Sequence, residues 1–457
     1  LTVMTFLGAG MLSGISAQIS PLQVDTLKET KIPDQWDLQS CIDYAKEQNI
    51  TIRKNRITAA STQIDVKTAK AALFPSLSFS TGHQVVNRPY QETSSRVSGS
   101  EIISSNSKTS YNGNYGLNAS WTLYNGNKRL KTIQQEKLNN QMAELDVATS
   151  ENNIQESIAQ VYIQILYAAE SVKVNENTLQ VSIAQRDRGQ ELLNAGSIAK
   201  SDLAQLEAQV STDRYQLVTA QATLEDYKLQ LKQLLELDGE NEMNIYLPAL
   251  SDENVLAPLP TKRDVYISAL SLRPEIEASK LNVEASELGI NIAKSSYFPT
   301  ISLSAGIGTN HTSGSDFTFG EQVKNGWNNS IGLSISVPIF NNRQTKSAVQ
   351  KAKLQYETSM LSLLDEQKAL YKTIESLWLD ANSAQQRYAA ANEKLKSTQI
   401  SYELISEQFN LGMKNTVELL TEKNNLLQAQ QEQLQAKYMA ILNTQLLKFY
   451  QGDQLAL

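Results

Sequence analysis

The chain has 457 residues, 41% of them hydrophobic, and a net charge of −7 at pH 7. An acidic chain with no basic, aromatic-rich stretch along its sequence has no general attraction to nucleic acid, which is therefore not expected as a partner. One cysteine, Cys41, excludes an intrachain disulfide, and His83 and His311 are too few for the usual zinc sites. No metal or cofactor is expected.

Residues 1–17 are apolar and end in small side chains, which is typical of the remainder of a signal peptide. The alternative is a disordered segment or a buried N-terminal strand. No later run of about 18 apolar residues could cross a membrane as a helix. If the chain is exported and meets a membrane, strands must make that contact.

Three segments of the first half recur, in the same order, in the second half. Lys70–Ser80 and Lys294–Ser304 share a lysine, a Phe-Pro pair and alternating serines at an offset of 224 residues. Two further pairs keep an offset of 216 residues, and one of them contains Gly196 and Gly412. Such a long period predicts an internal duplication rather than a solenoid. The predicted units are a first repeat over 36–246, a connector over 247–260 and a second repeat over 261–450.

Each repeat predicts the same elements in chain order. A helix ends at the Phe-Pro pair, because a proline disfavours helix for the residue before it. A strand, a polar loop and a return strand follow, and a very long helix then turns back at a glycine. The first repeat has helix 51–73, strand 76–86, loop 87–110, strand 111–124, helix 127–194 and tip 195–202. The second has helix 275–297, strand 300–309, loop 310–326, strand 327–340, helix 342–410 and tip 411–418.

The two long helices are each predicted to be about 100 Å in length, at 1.5 Å per residue. From Tyr356 to Phe409, the mostly apolar residues of one helix face are alternately three and four positions apart. This is a heptad pattern, which is typical of supercoiled helices. Ser201 is the predicted N-cap of the returning helix in the first repeat. Asn415 and Glu418 have the spacing of a capping box in the second.

The four predicted strands have one apolar and one polar face. In strand 111–124, for example, Leu117 and Trp121 alternate with Asn118 and Thr122. Such strands suit a membrane, with apolar side chains outward and small polar ones inward. Four strands cannot close a barrel and lipid tolerates no open sheet edge, so copies must pool their strands. Two copies would give a filled barrel and three an open one, which the small inward residues favour.

Aromatic residues cluster where the predicted strands meet the helices, as in a membrane-interface belt. The alternative is the edge or core of a soluble β-sandwich. The residues are Phe74, Trp121, Tyr124, Tyr297, Phe298 and Phe340.

Through its paired Phe-Pro motifs and the tips around Gly196 and Gly412, the chain resembles the TolC-like outer-membrane efflux proteins over residues 36–450. The resemblance implies a mainly α protein with membrane β structure, built from duplicated halves. It further implies a homotrimer whose 12-stranded β-barrel, with four strands per chain, continues into a periplasmic α-helical barrel.

The resemblance also implies two kinds of site in the periplasmic part. The tips would dock an adaptor protein, although the same residues could serve only as helix caps. Glu403 lies at the same distance from the tip glycine as the gate aspartate of that family, and Glu407 lies one turn further on. These two residues would form an acidic gate, although an exposed glutamate is often only solvated. The adaptor-binding residues would be Gly196, Ser197, Ala199, Ser201, Asp202, Gly412, Thr416 and Glu418.

The expected function is a passive outer-membrane exit duct of a tripartite efflux or secretion system. An adaptor would open the tips, and an inner-membrane pump of the RND or ABC type would supply the energy. No G-x-x-x-x-G-K-[ST] motif is present, and Ser197–Lys200 matches S-x-x-K without its partner motifs, so no enzyme is expected. The alternatives are a free-standing outer-membrane porin and a soluble periplasmic coiled-coil scaffold.

Overall fold

The computed structural model describes most of the chain. The predicted signal-peptide remainder, 1–17, lies outside the described residues, and so does part of the predicted connector. Between 91 and 107 only the backbone of two short strands is described. The described ranges are 33–90, 94–98, 101–105, 108–238, 243–248, 255–313 and 317–455.

Nine helices and six strands are formed by the described residues. The helices are α1 (Leu38–Gln48), α2 (Ile50–Ala71), α3 (Lys128–Asn194), α4 (Lys200–Leu234), α5 (Lys262–Leu272), α6 (Pro274–Ser295), α7 (Phe319–Asn325), α8 (Gln344–Asn410) and α9 (Thr416–Gln451). The strands are β1 (Ser76–Asn87), β2 (Ser94–Ser98), β3 (Glu101–Ser105), β4 (Thr109–Asn125), β5 (Thr300–Thr312) and β6 (Asn328–Ser336).

The main sheet is antiparallel and has the order β1-β4-β5-β6. Its two faces differ sharply, as the rows across the strands show. One row pairs Leu77, Ala119, Ala305 and Ile331, and the next pairs Ser78, Asn118, Gly306 and Ser330. The apolar side chains are largely exposed in the single chain, with Ile331 at 83%. Apart from its end beside α7, where Phe319 contacts Tyr115 and His311, this face is largely uncovered by the described residues.

A break in register explains how Tyr124 reaches this apolar face. Strict alternation would place Tyr124 with Thr122 on the polar face, but the pairing of β4 with β5 shifts between Thr122 and Tyr124. Tyr124 thereby lies opposite Ile301, which belongs to the apolar row. A β-bulge of this kind re-aims a side chain at the end of a strand.

Two helical hairpins continue from the sheet. The helices α3 and α8 each contain 67 residues, and each returns through the shorter α4 or α9. The largest core cluster joins these helices at mid-length, where Tyr162 and Tyr388 are almost fully buried. Tyr162 donates a hydrogen bond to the carbonyl of Tyr246, 2.6 Å away, and so fixes the residue just before the predicted connector against α3.

Three details of the sequence prediction were wrong. The predicted loop 87–110 contains the β2–β3 hairpin, and the predicted loop 310–326 contains α7 and the end of β5. The predicted strand 327–340 is shorter, because β6 ends at Ser336. Pro338 has no N–H to donate to a neighbouring strand, which explains the early end.

Candidate functional site

The turn between α3 and α4 forms the first tip. Gly196 has a φ of +76°, a left-handed conformation that closes α3, and the N–H of Ser197 donates to the carbonyl of Leu192 at 2.8 Å. The predicted N-cap Ser201 was wrong, because α4 begins at Lys200 and its N-cap is Ala199, two residues before Ser201. The carboxylate of Asp202 accepts the N–H of Ala199 at 3.0 Å and satisfies this end of the helix.

The turn between α8 and α9 forms the second tip, with the same glycine geometry. Gly412 has a φ of +74°. The capping box is confirmed: the N–H of Glu418 donates to Asn415 Oδ1 at 2.9 Å, and the N–H of Asn415 donates to Glu418 Oε2 at 3.3 Å. The side chain of Lys414 also donates to Glu418 at 2.6 Å, which lowers the pKa of this carboxyl together with the backbone bond.

A small apolar core brings the two tips together. Leu206 and Leu419, from the two returning helices, are buried with Leu192 and Phe409 from the two long ones. Within the first hairpin, Gly189 of α3 allows close packing against α4, since an added Cβ would lie 2.4 Å from Leu206 Cδ1. The two hairpins therefore pack together just behind their tips, at one end of the chain.

Further from the tips, a buried charged cluster also joins the hairpins. Lys423 of α9 donates to Asp213 of α4 and to Ser182 of α3, and all three side chains are almost fully buried. Gln209 Nε2 donates to the second oxygen of Asp213 at 2.9 Å. Burial lowers the pKa of Lys423, and the nearby Asp213 carboxylate opposes that effect.

The predicted gate residues lie on an exposed face of α8. Gln399 Nε2 donates to Glu403 at 2.6 Å, and Glu407 is one turn closer to the tip. The same end of the chain exposes Leu404 at 54% and Leu411 at 75%, which the sequence analysis did not single out. Among the neighbouring heptad residues, Phe409 is buried and Tyr402 and Ile405 are partly buried. The available signal in the sequence was that Leu404 lies outside the heptad pattern. The gating role of the two glutamates stays a prediction.

The predicted interface aromatics lie at the opposite end of the helices. Phe74, Phe298 and Phe340 are exposed by 73%, 51% and 84% in the single chain. Trp121 Nε1 donates to the carbonyl of Leu73 at 2.7 Å, which fixes the β4 aromatic against the turn before β1. Together with Tyr124, these rings surround the junction between sheet and helices.

Neither histidine forms part of a metal centre in the described residues, where no group of three or more His, Cys, Asp and Glu side chains is close enough to hold an ion. His83 instead accepts or donates hydrogen bonds with Tyr111 at 2.6 Å and with Thr81 at 3.1 Å. Among the helices that are described, none combines the length and apolarity needed to span a bilayer.

A duplicated protomer that joins an open, two-faced sheet to long helical hairpins defines the class of outer-membrane channel proteins. The family model for outer membrane efflux proteins matches residues 41–236 and 265–452, and the chain belongs to that family. The resemblance drawn from the sequence is thereby confirmed.

Relatives of known name are distant in sequence. The outer membrane efflux protein BepC of Brucella suis is 24% identical over 294 residues, 64% of this chain and 61% of that protein. The outer membrane protein TolC of Escherichia coli is also 24% identical over 294 residues, 62% of this chain and 58% of its own length. The chain therefore spans about three fifths of these two relatives. Toxin and drug export protein A of Aggregatibacter actinomycetemcomitans is 22% identical and is 87% covered.

Solved structures share the fold over nearly the whole chain. A structure of CusC has a TM-score of 0.77 at 19% identity and covers 91% of this chain and 92% of that one. The outer membrane protein VceC of Vibrio cholerae has a TM-score of 0.74 at 16% identity, with 92% and 97% covered. The predicted fold class, a mainly α protomer with duplicated halves and four strands in its main sheet, is confirmed.

Proposed function

We propose that the protein is a passive exit duct in the bacterial outer membrane, and not an enzyme. The observation that carries the proposal is the four-stranded sheet with an exposed apolar face, continued by two helices of 67 residues. The apolar face suits lipid, and helices of about 100 Å extend far beyond any membrane. A free-standing porin would not require such long helices, and a soluble coiled-coil scaffold would not require a sheet with an exposed apolar face.

The duct is a homotrimer in this proposal. Strands β1 and β6 are the two edges of the main sheet, and each leaves one row of backbone groups unpaired. Because every such group costs several kcal/mol in lipid, β6 of one copy pairs with β1 of the next. Three copies then provide 12 strands, whose polar rows of Ser, Asn and Gly line a water-filled interior.

A periplasmic adaptor protein opens the tips, and an inner-membrane pump of the RND or ABC type drives transport. The joined tips support this part of the proposal, because their shared apolar core lets both hairpins move as one unit. Small residues such as Ala199 and Ser201 leave room for a partner helix to approach. Relatives are named for alkaline protease secretion and for cation efflux, so the cargo differs among them.

A bulky side chain at one tip tests the adaptor contact. Ser201→Trp should abolish export of a fluorescent efflux probe from the native host, because the indole blocks the approach of a partner helix. Thr219→Trp is the matched control, since Thr219 is exposed on the same face of α4 about five turns away. Both variants should reach the outer membrane at the wild-type level. Normal export by Ser201→Trp, or equal loss in the control, would contradict docking at the tips.

A further inference from the structure

The junction between sheet and helices carries an excess of positive charge. Four segments meet there, 66–75, 120–135, 290–300 and 337–353, and they contain ten of the 41 Lys and Arg residues. None of the 48 Asp and Glu residues falls within them, although Asp65 and Glu136 directly adjoin two of the segments. The fold brings the four segments together. We call these ten cations the basic collar: Lys67, Lys70, Lys128, Arg129, Lys131, Lys294, Arg343, Lys346, Lys351 and Lys353.

Most of the collar is free to meet an outside partner. Lys70, Lys128, Lys294 and Lys346 are exposed, and no collar residue forms an ion pair within the described part of the chain. Arg129 is largely engaged, because its guanidinium donates to the carbonyls of Ala72 and Thr122, and Lys131 Nζ donates to the carbonyl of Asn291 at 3.5 Å. The remaining cations have no ion-pair partner among the described residues.

Helix stability does not explain the collar. Cations are unfavourable at a helix N-terminus, where the macrodipole is positive. Even so, α3 begins with Lys128, α8 is preceded by Arg343 at its N-cap, and neither helix has an acidic residue in its first turn. By contrast α4, α5, α6, α7 and α9 all carry an acidic residue there, whereas α1 and α2 carry none. Both long helices that start at the main sheet therefore have a cation at or next to their first residue and no acidic residue in the first turn.

Three collar residues also lie close in sequence to exposed phenylalanines of the predicted membrane-interface belt. Lys70 precedes Phe74 by four residues, Lys294 precedes Phe298 by four, and Arg343 follows Phe340 by three. These three rings are exposed and mark the boundary of the apolar sheet face. A cation about one turn from each ring lies on the helical side of that boundary. In membrane proteins, lysine and arginine side chains beside interfacial aromatic residues reach the depth of the lipid phosphate groups.

We propose that the basic collar binds the headgroups of anionic phospholipids in the periplasmic leaflet of the outer membrane. The proposal rests on the membrane placement given under the proposed function. Its chemistry is phosphate recognition by flexible lysines, adjacent to rings that contact the acyl chains. Each cation near an anionic surface is expected to strengthen binding about fivefold at low salt. The collar also fixes the depth of the sheet in the bilayer.

Lipid binding by the purified full-length protein tests the proposal. Native mass spectrometry would count molecules of dioctanoyl phosphatidylglycerol bound at increasing lipid concentration, with dioctanoyl phosphatidylcholine and glycerol 3-phosphate as the comparison ligands. The wild type should prefer phosphatidylglycerol over both, and the preference should decline with salt. The test variant carries four Lys→Gln changes, at Lys70, Lys128, Lys294 and Lys346.

A matched variant controls for net charge. It also loses four exposed lysines that form no described ion pair, but these lie away from the junction, at Lys54, Lys368, Lys372 and Lys396. The collar variant should bind phosphatidylglycerol at least about tenfold more weakly than the wild type, and the control variant should bind it normally. Circular dichroism of both variants should match the wild type.

Several results would overturn the proposal. Equal affinity of the collar variant and the wild type would do so, as would an equal loss in the control variant. Tight binding of glycerol 3-phosphate alone would indicate a site for free phosphate. Unchanged lipid binding with altered ion selectivity in a planar bilayer would place the cations inside the duct. Recovery of the wild type from the soluble fraction would contradict the proposed function. Recovery from the membrane without a preference for phosphatidylglycerol would contradict only the proposed lipid binding by the basic collar.

Discussion

Replacing Lys423 by methionine removes the cation from the buried cluster that joins the two hairpins. The Asp213 carboxylate, 1% exposed, then keeps only the Ser182 hydroxyl and Gln209 Nε2 as hydrogen-bond donors. Loss of one partner of a buried ion pair costs about 3–5 kcal/mol, because the other charge stays buried without compensation. Since two donors remain here, we expect the lower end, about 3 kcal/mol in the free energy of unfolding.

The paired variant Asp213→Leu/Lys423→Met separates the charge effect from packing. Apolar side chains of similar volume leave no unpaired charge, and this variant should unfold within about 1 kcal/mol of the wild type. An exposed pair supplies the control: Lys394 lies 2.7 Å from Glu432, with both side chains more than 40% exposed. Lys394→Met should therefore cost about 0.5 kcal/mol.

The differences in the free energy of unfolding can be measured by guanidinium denaturation of the purified protein in detergent, followed by the circular dichroism of its helices. They are compared at a common dependence of that free energy on denaturant concentration. The single variant should be the least stable of the three, and the paired variant should recover most of the loss. Equal loss in the single and paired variants would refute the reasoning, since it would show that volume rather than unpaired charge sets the cost.

Two further predictions concern the sheet junction and the mid-length core. Gly126→Ala should lower the denaturation midpoint, because Gly126 has a φ of +65° and an added Cβ would lie 2.7 Å from the Ser295 carbonyl oxygen. Gly196→Ala should lower it less, because Gly196 also has a positive φ but an added Cβ there would meet no atom within 4 Å. Cys41 should resist maleimide at pH 8 until the protein unfolds, because burial raises the pKa of its thiol to about 12; rapid labelling of the native protein would contradict this.

The sequence predicted those parts of the fold that depend on local patterns. Alternation of polar and apolar residues is local, and so is the break made by a Phe-Pro pair, which explains why β1 and the turn before it were predictable. The glycine tips follow from backbone conformation alone, as at Gly412. The Ser201 cap was wrong because Ser201 lies inside α4, and at this helix end it is Asp202 that accepts a backbone N–H, from Ala199.

Features that require neighbouring helices were not predictable in the same way. The cluster around Lys423 joins α3, α4 and α9, whose proximity no local pattern reveals. One signal was available, since Lys423 lies between Leu419 and Leu426 at the spacing of a buried face. The basic collar needs four separate segments to meet, so it became visible only with the fold.

The central claim is that copies of the chain share their strands to close one barrel. The most direct measurement is the native mass of the protein extracted from outer membranes in mild detergent, corrected for bound detergent. The proposal predicts a trimer, about three times the 50.7 kDa of one chain. A monomer, which would leave the edges of β1 and β6 unpaired in lipid, would contradict it.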